Sequence, residues 1–197
     1  MADDTDRLHA RSRILDAAEV LFARHGFDGT STARLAHAAG VPKGLLFYYF
    51  RTKQDILTAL LAERLSTALD PETLIAPGDP VKTLVNVADR VLGDRAASAV
   101  LREVVWHEAH IRPEVREVLT RYRHALHDAI ERALRASLPG TVDVHALRAA
   151  AAAWSATITA RPLEPSSADR RHLHEAASLR AIARLLSVGL LSTTMAS

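Results

Sequence analysis

The sequence of 197 residues contains no cysteine. Disulfide bonds, thiolate nucleophiles and cysteine-based metal or redox sites are therefore excluded. Aromatic residues are also scarce, at 5% of the chain, and alanine and leucine outnumber the β-branched residues that are typical of sheets. This composition favours an all-α fold. A chain of this length can bury a substantial hydrophobic core.

Long hydrophobic runs and targeting signals are also lacking. The first residues, MADDTDR, are acidic and polar, which is unlike a signal peptide. The uncharged, alanine-rich run at residues 149–160 is shorter than the roughly 20 residues that a membrane span needs. We therefore expect a soluble, cytoplasmic protein that does not bind membranes.

The positive charge of the chain is concentrated near the N-terminus. The formal net charge is only +2. Residues 7–53, however, hold eight Lys or Arg against three Asp or Glu, whereas residues 54–197 hold 17 of each sign. A local positive excess is typical of a surface that binds a polyanion. An ordinary solvated face is the alternative that charge alone leaves open.

Hydrophobic periodicity predicts a helical array with a compact head. The first helix is expected over 7–25, a short second helix capped by Thr30 or Ser31 ends at Gly40, a third begins at Pro42, and a fourth covers about 53–69. Residues 70–80, with three prolines, are interpreted as a connection. Further helices are predicted at about 81–92, 95–110, 113–137, 143–160 and 168–191, with breaks at Gly93, Pro113, Pro139–Gly140 and residues 162–167.

Two short helices joined by a tight turn that contains glycine form a helix-turn-helix pattern. Gly40 is able to close the first of these helices in a left-handed conformation, and Pro42 suits the first position of the second. The segment that follows the turn, VPKGLLFYYFRTK, contains four of the nine aromatic residues and two of the three lysines. Such a concentration predicts a contact surface rather than a solvated helix.

Helical spacing assigns faces to this second helix. At about 100° per residue, Leu46 and Phe50 face the core with Phe47 at the edge, and Tyr49 lies on the flank. The positions expected to point away from the core are Gly44, Leu45 and Tyr48. A lysine at a helix N-terminus and a glycine inside a helix are both unfavourable for the helix itself, so Lys43 and Gly44 indicate an approach to phosphates. The alternative is that Tyr48 and Tyr49 pack against neighbouring helices.

Residues 14–57, ILDAAEVLFARHGFDGTSTARLAHAAGVPKGLLFYYFRTKQDIL, resemble the DNA-binding head of the TetR family of transcriptional regulators. The glycine of the turn, the Lys-Gly pair, the aromatic run and the following lysine carry this resemblance, which covers about a quarter of the chain. It implies an all-helical homodimer that represses transcription until a small molecule binds its C-terminal domain. It also implies a helix-turn-helix domain at residues 7–52 and a ligand-binding and dimerisation domain at residues 53–197.

The family's recognition helix falls on residues 43–49. The positions implied to contact DNA are occupied by Thr32, Lys43, Gly44, Leu45, Tyr48, Tyr49 and Lys53. The ammonium of Lys53 and the free N–H groups at the start of its helix are together expected to hold a phosphate. Leu45 replaces a small hydroxyl residue, and Phe47 replaces the usual tyrosine. We expect binding to persist, but the operator sequence cannot be copied from relatives.

The C-terminal two-thirds matches no motif. A helical domain containing Trp106, His110, Tyr122 and Trp154 is suited to enclose an apolar ligand with a few polar groups, although each of these residues is equally compatible with an ordinary core. His107 and His110, like His124 and His127, are spaced to share a metal, but no fuller ligand set accompanies them. We assign no metal or cofactor.

The last two helices are suited to self-association. The segment HALRAAAAAWSATITA presents small residues, and the final helix carries a stripe of Leu179, Ile182, Leu186 and Gly189. A dimer formed in this way would present two recognition helices to a palindromic double-stranded operator.

The leading hypothesis is a ligand-responsive transcriptional repressor, located in the cytoplasm on the nucleoid, and not an enzyme. The second hypothesis is a helical ligand-binding or adaptor protein that has lost DNA binding. An enzyme is the third, but the chain has neither a phosphate-binding loop nor a nucleophile elbow.

Overall fold

The computed structural model describes residues 2–65, 71–97, 111–159 and 168–194. Within these ranges it contains nine α-helices and no strand, so the predicted all-α class is confirmed. The helices are α1 (Ala2–His25), α2 (Thr32–Ala38), α3 (Lys43–Tyr49), α4 (Lys53–Leu65), α5 (Pro71–Leu74), α6 (Pro80–Ala97), α7 (Pro113–Ser137), α8 (Val144–Thr159) and α9 (Ala168–Thr194). None of the described helices is long and apolar enough to cross a membrane.

The predicted helix ends agree with most of these bounds, with three differences. Helix α1 begins at Ala2 instead of residue 7. The predicted break at Gly93 is wrong, because α6 continues through it to Ala97. Gly93 does not have the positive φ that ends a helix, unlike Gly26, Gly40 and Gly140. The short helix α5 lies inside the segment predicted to be a connection. The predicted helix at 95–110 falls mostly outside the described residues.

The chain divides into two compact units. Unit 1 consists of Met1–Thr67 and Arg95–Tyr122, and unit 2 consists of Ala68–Asp94 and Arg123–Ser197. Helix α4 therefore belongs to the same unit as the helix-turn-helix, together with the N-terminal part of α7. A functional boundary between residues 52 and 53 stays a prediction.

Unit 1 is built around one hydrophobic core. Each of its first four helices contributes fully buried side chains, among them Ile14, Phe22, Leu35, Leu46, Ile56 and Leu60. The start of α7 adds Val115 and Val118 to the same core. Complete burial of one such side chain contributes about 1.5–3 kcal/mol, so α3 is held by packing and not by its seven residues of helix alone.

Local capping sets the α1–α2 and α2–α3 turns. Gly26 and Gly40 adopt φ values of 69° and 64°, the left-handed conformation that glycine accepts without strain. Ser31 is the N-cap of α2, and its Oγ accepts a bond of 3.2 Å from the N–H of Arg34. Thr30 is fully buried instead, and its hydroxyl donates to the carbonyl of Gly26 at 2.8 Å. The residue that caps α2 is thus Ser31.

Unit 2 packs α8 against α9 and buries Trp154 completely. The indole N–H of Trp154 donates to the carbonyl of Leu84 in α6 at 3.1 Å. The N–H of Gly78 donates to the carbonyl of Ser137 at 2.9 Å, which joins the turn before α6 to the end of α7. These contacts fix the helices of unit 2 around an apolar centre.

Candidate nucleic-acid interface

The recognition helix α3 is anchored by one face. Leu46 is completely buried and Phe50, its C-cap, is 4% exposed, as the helical spacing predicted. The N–H of Val41 donates to the carbonyl of Ala36 at 3.0 Å, which closes the turn between α2 and α3. The helix is therefore fixed relative to α2 by backbone hydrogen bonds and by the shared core.

The opposite face of α3 is open to solvent. Lys43, Gly44, Phe47 and Tyr48 are exposed, and Tyr48 is 69% exposed. The rings of Tyr48 and Tyr49 meet edge to face with centroids 5.2 Å apart. The Lys43 ammonium lies 5.8 Å from the centroid of the Phe47 ring, one turn away. This surface combines a cation, two hydroxyls and exposed rings, which suits contacts to both phosphates and base edges.

The position of Leu45 differs from the sequence-based prediction. Leu45 is half-buried and packs against the core of unit 1, as Tyr49 does. The prediction that Leu45 points away from the core is therefore wrong. A leucine beside the buried face reaches core atoms, because its apolar side chain gains more there than in water. What remains of Leu45 at the surface is an apolar edge beside Tyr48 and Gly44.

The Lys53 side chain is already engaged within the head. Its ammonium donates to the carbonyl of Phe27 at 2.7 Å and lies 4.2 Å from the centroid of the Phe27 ring. At the same helix start, Thr52 and Asp55 exchange hydrogen bonds: the Thr52 N–H donates to Asp55 Oδ2 at 2.9 Å, and the Asp55 N–H donates to Thr52 Oγ1 at 3.1 Å. The Asp55 carboxylate thus occupies part of the position expected for a phosphate. A phosphate contact by Lys53 stays a prediction.

Two further basic residues belong to the head, and the family motif did not predict that either one contacts DNA. Arg34 on α2 and Arg51 in the turn after α3 are both exposed. The half-buried Thr32 begins α2. The local charge count was the sequence signal for Arg34 and Arg51, since both belong to the eight cations of residues 7–53.

Of the four predicted ligand residues, the structure describes only Tyr122 and Trp154. Trp106 and His110 lie outside the described residues. Tyr122 is half-buried in unit 1, whereas Trp154 is in the core of unit 2 with its N–H already bonded. Trp154 therefore has no free polar group to offer a ligand. Ligand binding by this set stays a prediction.

A groove of about 560 Å³ is present in unit 2 between α6 and α9. It is lined by Asp79, Val81, Lys82, Val85, Asn86, Asp89, Arg180 and Arg184, none of them among the predicted ligand residues. As for metals, the described residues contain no group of three or more His, Asp or Glu that is able to hold an ion. His127 lies 3.8 Å from Glu131, and His107 and His110 are outside the described residues.

Residues 14–60 match the family described as bacterial regulatory proteins, tetR family. The chain is 30% identical over 134 residues to the HTH-type transcriptional regulator AcrR of Shigella flexneri, a match that covers 64% of this chain but only 62% of AcrR. It is 29% identical over 160 residues to the HTH-type transcriptional regulator TtgR of Pseudomonas putida, covering 74% and 75% of the two chains.

The likeness extends to whole folds. The structure of Salmonella enterica GusR superimposes with a TM-score of 0.68 at 26% identity, covering 90% of this chain and 94% of that one. The relatives are named as transcriptional regulators, which supports the DNA-binding class over the enzyme class. The helix-turn-helix geometry and the family match agree for the head of the chain: residues 14–60 form a helix-turn-helix domain of the type found in the bacterial regulatory proteins of the tetR family, and the relatives are similar to the chain beyond that head.

Proposed function

We propose that this regulator is a repressor that binds a palindromic operator as a homodimer and is released by a small-molecule effector bound in its C-terminal helices. The observation that carries the DNA part is the exposed face of α3, where Lys43, Gly44 and Tyr48 stand on a helix whose other face is fully buried. With 69% of its surface exposed, the Tyr48 side chain is available for contact with a partner.

The two departures from the family pattern are compatible with this proposal. Leu45 packs against the core, so its replacement of a small hydroxyl residue leaves the surface of α3 intact. Phe47 is 40% exposed and keeps a ring next to Lys43, although it lacks a hydroxyl. Both changes alter which bases are preferred, and neither removes the cation or the tyrosines. DNA binding is therefore favoured over an adaptor protein that has lost it.

The dimer is proposed to form through α8 and α9. The outer side of α9 exposes Leu185, Val188 and Leu191, with Leu185 at 73% and Val188 at 62% exposure. Ala149, Ala152, Ala153 and Ala156 are exposed on α8. A surface of this kind, apolar and made of small residues on paired helices, is suited to bury against a second copy. The stripe that the sequence analysis predicted for dimer contact is less exposed, because Leu179, Ile182 and Leu186 are half-buried within unit 2.

The effector is proposed to act on the spacing of the two heads. Helix α4 follows the recognition helix after three residues, so a ligand that shifts α4 changes the distance between two α3 helices in the dimer. Such a ligand acts only through its different affinities for the two arrangements. Tyr122, Trp106 and His110 are the first candidates for contacting it, and Trp154 would contribute packing.

The proposal is tested by binding of the purified protein to DNA flanking its own gene and, in parallel, to fragments selected from the genome. We expect a palindromic site with half-sites about one or two helical turns apart. We also expect log affinity to fall by about 0.9 per contacted phosphate for each unit of log salt concentration. The proposal is contradicted if neither DNA source yields a sequence that the protein prefers over random DNA.

A further inference from the structure

Phe27, in the turn between α1 and α2, is the centre of an unusual cluster of charges. Its ring is only 5% exposed. The Lys53 ammonium lies 4.2 Å from the ring centroid and the Arg112 guanidinium carbon lies 4.1 Å from it. Cations at these distances are attracted by the ring quadrupole, more strongly the less they are hydrated.

Arg112 makes two further contacts to the same region. One of its terminal nitrogens donates to Gln54 Oε1 at 3.1 Å, and the other donates to Asp28 Oδ1 at 3.2 Å. Asp28 is adjacent to Phe27, and Gln54 is adjacent to Lys53. The single guanidinium therefore bridges the α1–α2 turn to the first turn of α4. We call Phe27, Asp28, Lys53, Gln54 and Arg112 the Phe27 cluster.

Stability of α7 itself does not account for Arg112. The residue immediately precedes α7, and its carbonyl accepts a bond from the N–H of Arg116 at 3.3 Å, so it stands at the N-terminus of the helix. A positive charge is unfavourable at that end of the helix dipole. The arrangement also brings two like charges to one ring. Both unfavourable effects are offset by the contacts of Arg112 to Phe27, Asp28 and Gln54.

One polar side chain of the Phe27 cluster, Gln54, has only part of its hydrogen-bonding capacity used. Its Oε1 accepts from Arg112, but its Nε2 is buried without a hydrogen-bond partner among the described residues. An unsatisfied buried amide group is unfavourable, and that cost disappears when the side chain reaches water. The cluster thus holds the start of α4 in a position that part of it disfavours, which makes the position dependent on Arg112.

We propose that Arg112 is a positioning residue for DNA binding, which holds the start of α4, and with it the end of the recognition helix, against the α1–α2 turn. The mechanism follows from chain connectivity: α3 ends at Tyr49 and α4 begins at Lys53, so fixing Lys53 and Gln54 fixes the exit of α3. It rests on the DNA-binding function proposed above. It adds that the Arg112 guanidinium, beside the core contacts of Val115 and Val118, couples the start of α7 to the start of α4 and so to the exit of the recognition helix.

The test compares Arg112→Ala with Arg112→Lys and with Arg121→Ala, the matched control. Arg121 lies on α7, the helix that Arg112 precedes, and its pairing with Glu117 stays within that helix at 2.7 Å. Two quantities are measured: hydrogen exchange of the backbone amides of residues 53–58 in the free protein, and affinity for an operator selected with the wild-type protein. Active concentrations are set by stoichiometric titration, so that misfolded protein does not count as weak binding.

We expect Arg112→Ala to speed exchange at residues 53–58, to leave exchange in α8 unchanged, and to weaken operator binding about tenfold without changing the salt slope. Arg112→Lys keeps a cation but cannot bond Gln54 and Asp28 through two separate nitrogens. Its exchange rate at residues 53–58 and its operator affinity are expected to lie between those of Arg112→Ala and the wild type. Arg121→Ala is expected to behave as the wild type in both measurements.

Three results would overturn the inference. Unchanged exchange at residues 53–58 in Arg112→Ala would show that the guanidinium does not hold α4. Unchanged affinity would show that its hold does not matter for DNA. A salt slope lower by about 0.9 would make Arg112 a direct phosphate contact instead. If the wild type itself selects no operator, the proposed function fails, and the exchange measurement alone decides whether Arg112 positions α4.

Discussion

Single residues on α3 separate stability from DNA recognition. Gly44 is exposed, and a Cβ placed there meets nothing within 4 Å in the protein. Its backbone conformation is not one that requires glycine, because its φ is not positive. Nothing in the fold therefore demands glycine at this position. A partner whose atoms come close to the backbone of α3 would demand it, and DNA is such a partner.

Gly44→Ala is predicted to stabilise the protein by about 0.5–1 kcal/mol, because alanine is the better helix former. The same change is predicted to weaken operator binding at least about tenfold, since the added methyl would separate the backbone from phosphate or sugar. Thermal unfolding and operator titration measure the two effects.

The matched control is Gly93→Ala. Gly93 is also helical and exposed, and its added Cβ also meets nothing within 4 Å. It should give a similar gain in stability with unchanged DNA binding. Equal DNA binding by the Gly44 and Gly93 variants would mean that nothing approaches α3 at this point.

At the scale of helices, the last turn of α4 is joined to α1 by ion pairs. Arg64 bonds Glu19 at 2.9 Å and also pairs with Asp16, while Arg11 pairs with Glu63. Burial lowers the pKa of Arg64, but its hydrogen bonds to Glu19 and Asp16 and their negative charges outweigh this, so the pKa is raised overall. Pairs at this exposure contribute about 0–1 kcal/mol each. They define the orientation of α4 more than they stabilise it, which is compatible with a helix that shifts.

The exposed apolar surface of α9 leads to a prediction about dimerisation. Val188→Glu is expected to weaken self-association at least about tenfold, because it would bury an unpaired carboxylate between two apolar helices. Sedimentation velocity over a range of concentrations measures the change, and the circular dichroism of the variant should match the wild type.

Ala125→Glu is the control for that variant, since Ala125 is equally exposed but lies on α7. It should leave self-association unaltered. A Val188→Glu protein that dimerises as the wild type does would move the interface away from this face of α9.

At the scale of the whole molecule, the sequence predicted those helix ends that depend on signals within a few residues. Gly26, Gly40 and the Pro139–Gly140 pair end helices where they were expected to, because each signal acts within a few residues. Gly93 failed as a stop, since a glycine without a left-handed conformation is only a weak helix former. Helix α5 was missed because four residues give too little periodicity to detect.

In the candidate site, too, the sequence predicted only what depends on neighbouring residues along the chain. The exposure of Lys43 and Tyr48 follows from helical spacing and family position. Spacing carries no information about contacts between distant positions: Lys53 bonds Phe27 across 26 residues, and Arg112 bonds Gln54 and Asp28 across 58 and 84 residues. Spacing also gave no sign that Trp154 is completely buried in unit 2 with its indole N–H bonded to Leu84, 70 residues away.

The central claim is that the exposed face of α3 reads the operator, and Tyr48 tests it most directly. The measurement is a titration of wild-type protein, Tyr48→Ala and the control Val20→Ala, which removes an exposed apolar side chain from α1, against one selected operator. Tyr48 is 69% exposed, so its loss should leave dimerisation and thermal stability nearly unchanged while operator affinity falls more than about tenfold. Val20→Ala should bind as the wild type does. Wild-type affinity for Tyr48→Ala would mean that DNA docks on another face of the head.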